Sequence, residues 1–409
     1  MREMKWTTYN VADLFNFIGN NTCSRAELSM NGKVRNIHYG DVLVLYDHVV
    51  DVQNANLPFL DGAETARHPL QNGDVIIADT AEDEIVGKAV EVIGITNQTP
   101  TESGLHTMVL RPRRSFAPRF LGYYFNSSEY HSSLRPFMRG TKVLSLSKKD
   151  VASSCIRIPD EVIEQQHIAA ALTDVDELIS AAEKLLDKKR GIKQGAMDEL
   201  LTCRRRLPSF NKPWKDTTIG TLSSIVTGAT PSTAINSYWI GGTIPWMNSG
   251  EINLKHVKAV EGRITQLGYN STSTHLVPPM SVLIALAGQG KTRGTCAITH
   301  IELCTNQSIA AILPNDDYDS FFLYYLLDSK YIQLRKASSG DSSRGGLTKK
   351  QLSTFSITLP CDIDEQREVA KVLADMDAEI ADLEATLRKY EALKQGMMEQ
   401  LLTGKIRLI

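Results

Sequence analysis

The sequence predicts an α+β protein with two tandem α/β domains and two long helices that pair as an antiparallel coiled coil, giving pseudo-twofold symmetry. Three observations support this fold class: a repeat of about half the chain, short apolar runs between turn residues, and apolar heptads that close each repeat. The predicted boundaries are 1–158 for the first domain, 159–208 for the central helical segment, 209–359 for the second domain and 360–409 for the C-terminal helical segment.

The repeat is ungapped over the helical segments. Glu164–Leu172 matches Glu365–Leu373, and Lys193–Thr202 matches Lys394–Thr403, both at an offset of 201 residues. This period is too long for a solenoid unit, whose repeats run to about 20–50 residues. The sequence therefore predicts a duplicated domain followed by a duplicated helix. Such a chain should engage two similar partners, or two ends of one partner.

The two domains have the pattern of short strands and amphipathic helices. Apolar runs such as Asp41–Tyr46, Asp74–Ala78 and Ser281–Ala285 lie between Gly, Pro, Asn and Ser residues, which is typical of strands. Phe120–Tyr130 and Phe321–Tyr331 have aromatic residues at helical spacing, which predicts one helix in each domain. We expect those aromatic side chains to lie in the core rather than to stack on bases.

Each helical segment carries an apolar heptad seam. The seam residues are Ile168, Leu172, Val175, Ile179 and Leu186 in the first segment, and Val369, Leu373, Met376, Ile380, Leu383 and Leu387 in the second. A helix of about 38 residues is about 57 Å long and must bury such a stripe against another helix. Because a whole domain separates the two segments, antiparallel pairing with each other is favoured. Two separate homodimeric coiled coils are the alternative.

Composition favours a folded cytoplasmic protein with a local polyanion-binding surface. The 409 residues are 42% hydrophobic and 22% charged, without a membrane-length apolar run or an apolar signal core. The six cysteines form no CxxC pair, which indicates reduced thiols and disfavours a zinc ribbon. Net charge is −2, yet residues 101–158 carry +7 and residues 160–199 carry −5. The basic stretch suggests polyanion binding, and the acidic helix suggests a protein partner.

No catalytic, metal or nucleotide motif is recognisable. Ala285–Thr292 resembles a phosphate-binding P-loop, but alanine replaces the first glycine and β-favouring residues follow. A basic glycine-rich loop between strands can instead approach a phosphate backbone closely. Glu82-Asp83-Glu84 and Asp174-Val175-Asp176 lack the surrounding ligands of a metal site, so we expect solvated carboxylates.

Polar loops supply the candidate DNA contacts, because Asn, Gln, Arg, Ser and Lys are the side chains that read base edges and hold phosphates. The candidates are Arg111, Arg113, Arg114, Arg139, Lys142, Thr230, Trp246, Asn248, Ser249, Gln289, Lys291, Arg293, Asn306, Gln307, Ser343, Arg344 and Lys349. Any single one of these side chains could equally have a structural role.

The chain resembles the specificity subunit of type I restriction–modification systems over nearly all of its length. The resemblance is carried by Gln395–Leu408, by Leu359-Pro360 with Asp364–Gln366, and by Gly241–Gly250, Thr305–Gln307 and Gly346–Thr348 in the second domain. The first domain departs more: Asn36–Val42 only loosely matches the segment around Trp246, and Cys203–Leu207 replaces the Thr-Gly-Lys-Ile-Arg ending.

The resemblance implies two target recognition domains that each read half of a bipartite, asymmetric DNA site. It implies that the paired helices set the unspecified spacer and help to bind two modification (methyltransferase) subunits, alongside restriction (motor and nuclease) subunits. S-adenosylmethionine, ATP and Mg²⁺ would bind to those partners, and this chain would hold no cofactor or metal and would not be an enzyme. The alternatives are a free-standing tandem sequence-specific DNA-binding regulator and a single-chain nuclease.

Overall fold

Two compact units make up the computed structural model, which describes residues 5–96, 98, 100–288, 290–337 and 346–408. The first unit contains the chain up to Glu183 and the C-terminal segment from Ala385. The second unit is Lys184–Glu384. Each unit therefore holds one globular domain together with part of both helical segments.

A five-stranded sheet forms the centre of the first unit. The strands of the first unit are β1 (Trp6–Asn10), β2 (Phe15–Ile18), β3 (Leu28–Ser29), β4 (Arg35–Ile37), β5 (Val49–Asp51), β6 (Phe59–Leu60), β7 (Val75–Ala78), β8 (Thr80–Ala81), β9 (Ala89–Ile93), β10 (Thr101–Ser103), β11 (Thr107–Pro112), β12 (Leu144–Ser145) and β13 (Cys155–Pro159). The central order is β2–β11–β7–β9–β5, and a second sheet has the order β10–β4–β6–β3. Val75 and Ile77 of β7 face one core while Ile76 and Ala78 face another, so this strand is apolar throughout.

Short helices surround this sheet. They are α1 (Val11–Leu14), α2 (Tyr39–Val44), α3 (Phe120–Phe125), α4 (Ser128–Leu134) and α5 (Lys148–Ser153), and the long helix α6 (Val162–Leu200) follows. The prediction of a strand at Asp41–Tyr46 is wrong, because this segment contains most of α2. The ring of His38 accepts a hydrogen bond from the Gly40 amide and caps the helix, and Asp41 in its first turn is buried against Arg25.

The single helix expected at Phe120–Tyr130 is also wrong, because the segment forms α3 and α4. Asn126 ends α3, and its side-chain amide donates to the carbonyls of Ala89 and Gly122. Ser127 then caps α4 by accepting a hydrogen bond from Tyr130 N. Core positions for the aromatic residues are confirmed, since Phe120 and Tyr130 are among the largest fully buried side chains.

The second unit repeats the topology of the central five-stranded sheet of the first unit. Its strands are β14 (Trp214–Thr218), β15 (Ile225–Thr227), β16 (Ile244–Met247), β17 (His256–Val257), β18 (Arg263–Ile264), β19 (Val282–Ala285), β20 (Cys296–Thr299), β21 (Cys304–Thr305), β22 (Ile309–Ile312) and β23 (Ser356–Pro360). The central order is β15–β22–β19–β20–β17. The edge pair β17–β20 is parallel, as is β5–β9 in the first unit, and β16–β21 is parallel like β4–β10.

The helices of the second unit are α7 (Ile219–Leu222), α8 (Gln266–Asn270), α9 (Ser320–Ser329), α10 (Tyr331–Ala337), α11 (Lys349–Ser353) and α12 (Ile363–Leu401). Here too the single helix expected at Phe321–Tyr331 divides in two, and the break falls at Lys330. The strands expected at Asp74–Ala78 and Ser281–Ala285 are confirmed as β7 and β19.

The long helices α6 and α12 each have 39 residues and lie antiparallel within each unit. In the first unit, Lys394 Nζ lies 2.6 Å from Asp176 Oδ1. In the second, Lys189 Nζ lies 2.6 Å from Glu379 Oε2, and Arg190 Nη2 lies 2.7 Å from Glu384 Oε1. In the first unit Arg407 also meets Glu164. Early residues of α6 therefore contact the C-terminal segment, and late residues of α6 contact the middle of α12.

The seam residues are buried or half-buried, but part of the seam serves the domain cores. Ile168 and Leu172 pack in the core of the first unit together with Leu401 and Leu402. Val369 and Leu373 belong to the core of the second unit. The remaining seam positions stay predictions for helix pairing. Among the residues that the structure describes, no helix combines the length and apolar character needed to cross a bilayer.

Candidate nucleic-acid interface

The predicted loops of the second unit meet at one end of its central sheet. Leu286 N donates to Ser308 O at 2.8 Å, and Asn306 N donates to Met247 O at 3.0 Å. Thr230 Oγ1 donates to Gln307 Oε1 at 2.6 Å, and both side chains are exposed. The loop after β15, the turn after β16, the β19–β20 loop and the β21–β22 connection therefore form one surface, which we call the second loop face.

Local capping fixes the turn after β16. Asn248 accepts a hydrogen bond from Gly250 N at 2.8 Å, and Glu251 Oε2 accepts from Asn248 N at 2.9 Å, which caps the 3-10 helix Ser249–Leu254. Asn248 remains exposed and Ser249 half-exposed. Trp246, another candidate, is buried, and its Nε1 donates to Ala229 O at 3.0 Å. The structure thus gives Trp246 a packing role beneath the loop face.

The glycine-rich loop between β19 and β20 is held from below. Tyr331 Oη donates to Lys291 O at 2.8 Å, and Arg335 Nη1 donates to Gly290 O at 2.7 Å. These bonds leave the Lys291 side chain exposed, whereas Arg293 is half-buried. Two strands flank this loop, so it does not enter a helix as a P-loop would.

The last candidates of the second unit are only partly described. Leu347 N donates to Leu286 O at 2.7 Å, which brings the segment before α11 to the same loop face. Lys349 is exposed in the first turn of α11, behind a Thr348 cap that accepts from Gln351 N at 3.1 Å. Gln289, Ser343 and Arg344 lie outside the described residues.

The first unit has an equivalent loop face, at the matching strand ends. Asp79 N donates to His106 O at 3.1 Å, as Leu286 N does to Ser308 O. Gly104 N donates to Ile37 O at 2.9 Å, as Asn306 N does to Met247 O. The first loop face therefore includes the residues after β4, β7 and β10. Sequence reasoning missed them, because only the strand pairing reveals which loops share an end.

The predicted basic residues of the first unit fall into two groups. Arg139 and Lys142 lie near the first loop face, because their segment runs into β12, which pairs with β8. Arg139 N donates to Ser145 O at 3.0 Å, and its guanidinium lies 3.1 Å from Asp150. Lys142 is exposed.

Arg111, Arg113 and Arg114 lie at the opposite end of the same sheet, at and just after the end of β11. Arg111 forms two hydrogen bonds with the buried Asp74, at 2.9 and 2.7 Å. Arg113 Nε donates to Asn16, and the Arg114 guanidinium stacks on Tyr9 and Phe116. These arginines line a cavity of about 710 Å³.

A buried carboxylate in that cavity wall caps helix α3. Arg119, the residue before α3, has a φ of 71° and no side-chain capping bond. Glu91 supplies the cap instead: it accepts from Arg119 N at 2.7 Å and from Gly122 N at 3.0 Å. Burial raises the pKa of Glu91 to about 7, against the opposing effect of these bonds. Sequence offered no signal for this role.

The raised pKa of Glu91 gives the first unit a pH dependence. The folded state binds this proton more tightly than the unfolded chain, so stability is fully present below about pH 4.5 and falls as pH rises through about 7, by up to about 3 kcal/mol. Glu91→Gln should remove this slope. Hydrogen exchange of the Arg119 and Gly122 amides between pH 5 and 8 measures it. Parallel wild-type and variant profiles would contradict the prediction.

A charged cluster joins the helices to the domain in each unit. Asp176 accepts from Tyr123, lies 3.0 Å from His48 Nε2 and pairs with Lys394. Burial alone would raise the pKa of Asp176, but hydrogen bonds from His48, Lys394 and Tyr123 outweigh it and lower the pKa to about 2. The expectation that Asp176 is a solvated carboxylate is therefore wrong.

The second unit has a similar cluster, in which a tyrosine and a lysine contact one aspartate. Tyr325 Oη donates to Asp377 Oδ2 at 2.7 Å, and Lys193 Nζ pairs with Asp377 Oδ1. Within the described part of the chain, no group of three or more His, Cys, Asp or Glu side chains could hold a metal ion.

With this geometry in place, the comparisons identify the family. A family model described as "Type I restriction modification DNA specificity domain" matches the chain twice, over residues 3–189 and 211–395. The chain belongs to this family. The match confirms the resemblance noted from the repeat ends, and it confirms that the chain is a non-catalytic specificity subunit for DNA recognition.

Individual relatives agree with this family assignment. The chain is 25% identical over 365 residues to the putative type I restriction enzyme MjaX specificity subunit of Methanocaldococcus jannaschii. The aligned region covers 84% of this chain and 81% of that one. The S subunit of a type I restriction–modification system from M. genitalium superposes with a TM-score of 0.59 at 14% identity, over 98% of this chain and 97% of that one.

A second solved structure supports the fold in the same way. It is a chain from work on complex assembly and conformational transition of the type I system, with a TM-score of 0.63 at 19% identity, over 98% of this chain and 99% of that one. These similarities confirm the predicted fold class of two tandem α+β domains with long helices.

Proposed function

We propose that this specificity subunit binds a bipartite, asymmetric DNA site, with each loop face contacting one half. The observation that carries the proposal is that both units have a loop face at the same end of a sheet with the same strand order. The matching hydrogen bonds Asp79 N to His106 O and Leu286 N to Ser308 O define it in the two units. Equivalent scaffolds with different side chains suit two half-sites of different sequence.

The second loop face has both kinds of side chain that bind DNA: polar groups for base edges and a lysine for phosphates. Asn248, Gln307 and Thr230 offer exposed amide and hydroxyl groups of the kind that read base edges in the major groove. Lys291 stands beside them on a loop whose backbone is tied down by Tyr331 and Arg335, as a phosphate contact requires.

We propose that α6 and α12 pair as an antiparallel coiled coil that fixes the distance between the two half-sites. Each helix of 39 residues is about 58 Å long. The ion pairs of Lys189 with Glu379 and of Asp176 with Lys394 support this role, because they hold the antiparallel register in each unit.

The partners proposed for this chain are double-stranded DNA, two modification (methyltransferase) subunits and restriction (motor and nuclease) subunits, assembled in the cytoplasm. S-adenosylmethionine, ATP and Mg²⁺ would bind to those subunits. The acidic α6 offers them a surface, since residues 160–199 carry a net charge of −5.

Exchange of one domain tests the proposal. The full chain is co-expressed with its modification subunits, and methylated adenines are mapped across the host genome. Replacing residues 209–359 with the equivalent part of a relative should change one half-site completely and leave the other unchanged, because β14 and β23 join both ends of the graft to the same scaffold.

The matched control replaces residues 6–159 instead, from the start of β1 to the end of β13. This exchange should change the other half-site. Strong salt should weaken binding in every variant, since phosphate contacts release counterions. A wild-type complex that methylates no split site, or a graft that alters both halves at once, contradicts the proposal.

A further inference from the structure

The first loop face carries side chains to which no role has been given. The proposed function predicts base-reading residues there, yet the sequence candidates of the first unit are basic residues, three of which lie at the other end of the sheet. What the first loop face offers instead follows from the strand register.

Register assigns the equivalent positions in the two units. Ala78 pairs with Thr107 in the first unit, and Ala285 pairs with Ile309 in the second, so His106 occupies the position of Ser308, next to Gln307. The matching bonds from Gly104 N to Ile37 O and from Asn306 N to Met247 O make His38 and Tyr39 the counterparts of Asn248 and Ser249. His38 even repeats the cap of Asn248, since both accept from the amide two residues later.

The backbone presents His106 outwards from this end of the sheet. Its φ is 57°, a left-handed conformation that is uncommon for a residue other than glycine and concentrates at functional sites. The side chain is 46% exposed. Its ring packs edge-on against Tyr39, with centroids 5.4 Å apart and planes at 77°.

A carboxylate and a hydroxyl lie beside the imidazole. His106 Nδ1 lies 3.4 Å from Asp79 Oδ1 and 3.4 Å from Thr80 Oγ1, and Thr80 Oγ1 donates to Asp79 Oδ1 at 2.9 Å. An Nδ1–H on the side of these two oxygens leaves Nε2 as the atom that meets a ligand. Within the described residues, Nε2 of His106 has no hydrogen-bond partner.

We propose that His106 contacts the edge of one base pair in the half-site of the first unit, with Asp79 and Tyr39 as positioning residues. The inference rests on the proposed function and deepens it. An imidazole nitrogen accepts from a base amino group when neutral and donates to a purine acceptor when protonated. The second unit has a hydroxyl and amides at the corresponding places, so the two half-sites should differ.

Genome-wide methylation mapping with the full chain and its modification subunits tests this. His106→Ala should relax one base pair of one half-site, with a loss of discrimination there of about five- to hundredfold, and should leave the other half-site unchanged. Asp79→Ala should relax the same base pair, and Asp79→Asn should retain more discrimination because its amide oxygen can still accept from Nδ1. Gln71→Ala, at an exposed position just before β7 at the opposite end of the same sheet, is the matched control and should preserve both half-sites.

The outcomes separate this inference from the proposed function. Unchanged discrimination at every position in an active His106→Ala complex overturns the role of His106 while the function stands. If that variant methylates too weakly to map, competition binding with duplexes that carry single base-pair changes decides instead, and an undiminished preference again overturns the inference. If the wild-type complex recognises no split site, the proposed function itself fails.

Discussion

Arg206→Ala is expected to lower the free energy of unfolding of the second unit, and Arg407→Ala that of the first unit, by several times the loss caused by breaking an exposed ion pair. Arg206 donates to both carboxylate oxygens of Glu365, at 2.9 and 2.6 Å, and Trp214 Nε1 lies 3.4 Å away. The Glu365 side chain is only 1% exposed.

The first unit contains the same arrangement. Arg407 Nη2 lies 2.7 Å from Oε2 of Glu164, whose side chain is fully buried, and Trp6 Nε1 donates to Glu164 Oε1 at 3.2 Å. Removing either arginine leaves a buried carboxylate without its counter-charge, which costs far more than the loss of an exposed ion pair. A loss of this size is a large part of the stability of a typical domain.

Hydrogen exchange of the β14 and β23 amides, together with urea unfolding of the full chain, measures the effect of Arg206→Ala. The neighbouring Arg205 is the matched control, because it pairs with Glu199 at the surface, where the side chains are 76% and 50% exposed. Arg205→Ala should cost less than about 1 kcal/mol. Glu365→Gln added to Arg206→Ala should recover stability, because it neutralises the buried charge. Equal losses in the two single variants would show that Glu365 does not depend on its arginine.

This pair of arginines also shows what the sequence could and could not predict. The ending Cys203–Leu207 departs from the C-terminal ending, yet Arg206 stands 201 residues before Arg407 and makes the same contact. Arg206 therefore keeps the 201-residue offset although the residues around it differ from those around Arg407. The repeat, the domain order and both long helices could be predicted, because heptads and turn-bounded apolar runs are local patterns.

Long-range partners account for what the sequence could not predict. In the aromatic helices, the two tyrosines with the same contact are 202 residues apart. Tyr123 donates to Asp176, and Tyr325 donates to Asp377. An offset of 201 residues would align Tyr123 with Tyr324 instead of Tyr325. The loop candidates of the second unit could be predicted because they lie in glycine- and asparagine-rich turns. The residues around His106 form no recognisable motif, and only the strand register identifies its position on the loop face.

Net charge along the sequence also did not reveal at which end of the sheet each basic residue of the first unit lies. The stretch 101–158 is basic, but it contains several strands and helices, so its basic residues lie at both ends of the central sheet. Arg111 forms an ion pair with the buried Asp74. Arg139 and Lys142 lie near the first loop face, because β12 pairs with β8. Net charge over a segment indicates that a polyanion is bound, but not at which end of a sheet.

Matched shortening of both long helices is expected to shorten the gap between the half-sites that the complex accepts. Deleting residues 178–184 from α6 and 386–392 from α12 removes seven residues from each, about 10 Å of helix, or about three base pairs of DNA rise. The ion pairs of Asp176 with Lys394 and of Lys189 with Glu379 remain in place on either side. Heptad deletions turn a helix by only about 20°, so the seam stays aligned.

DNA adds an angular constraint, because three base pairs also turn the duplex by about 100°. We therefore expect the variant to prefer a gap shorter by up to about three base pairs and to methylate its best site more slowly than the wild type. Methylation mapping reads both half-sites and the gap in one experiment. The control replaces the same fourteen residues with another heptad-keeping sequence of equal length and should keep the original gap. An unchanged gap in a folded, active deletion variant would show that the paired helices do not measure the distance, and the geometry of the partner subunits would then have to set it.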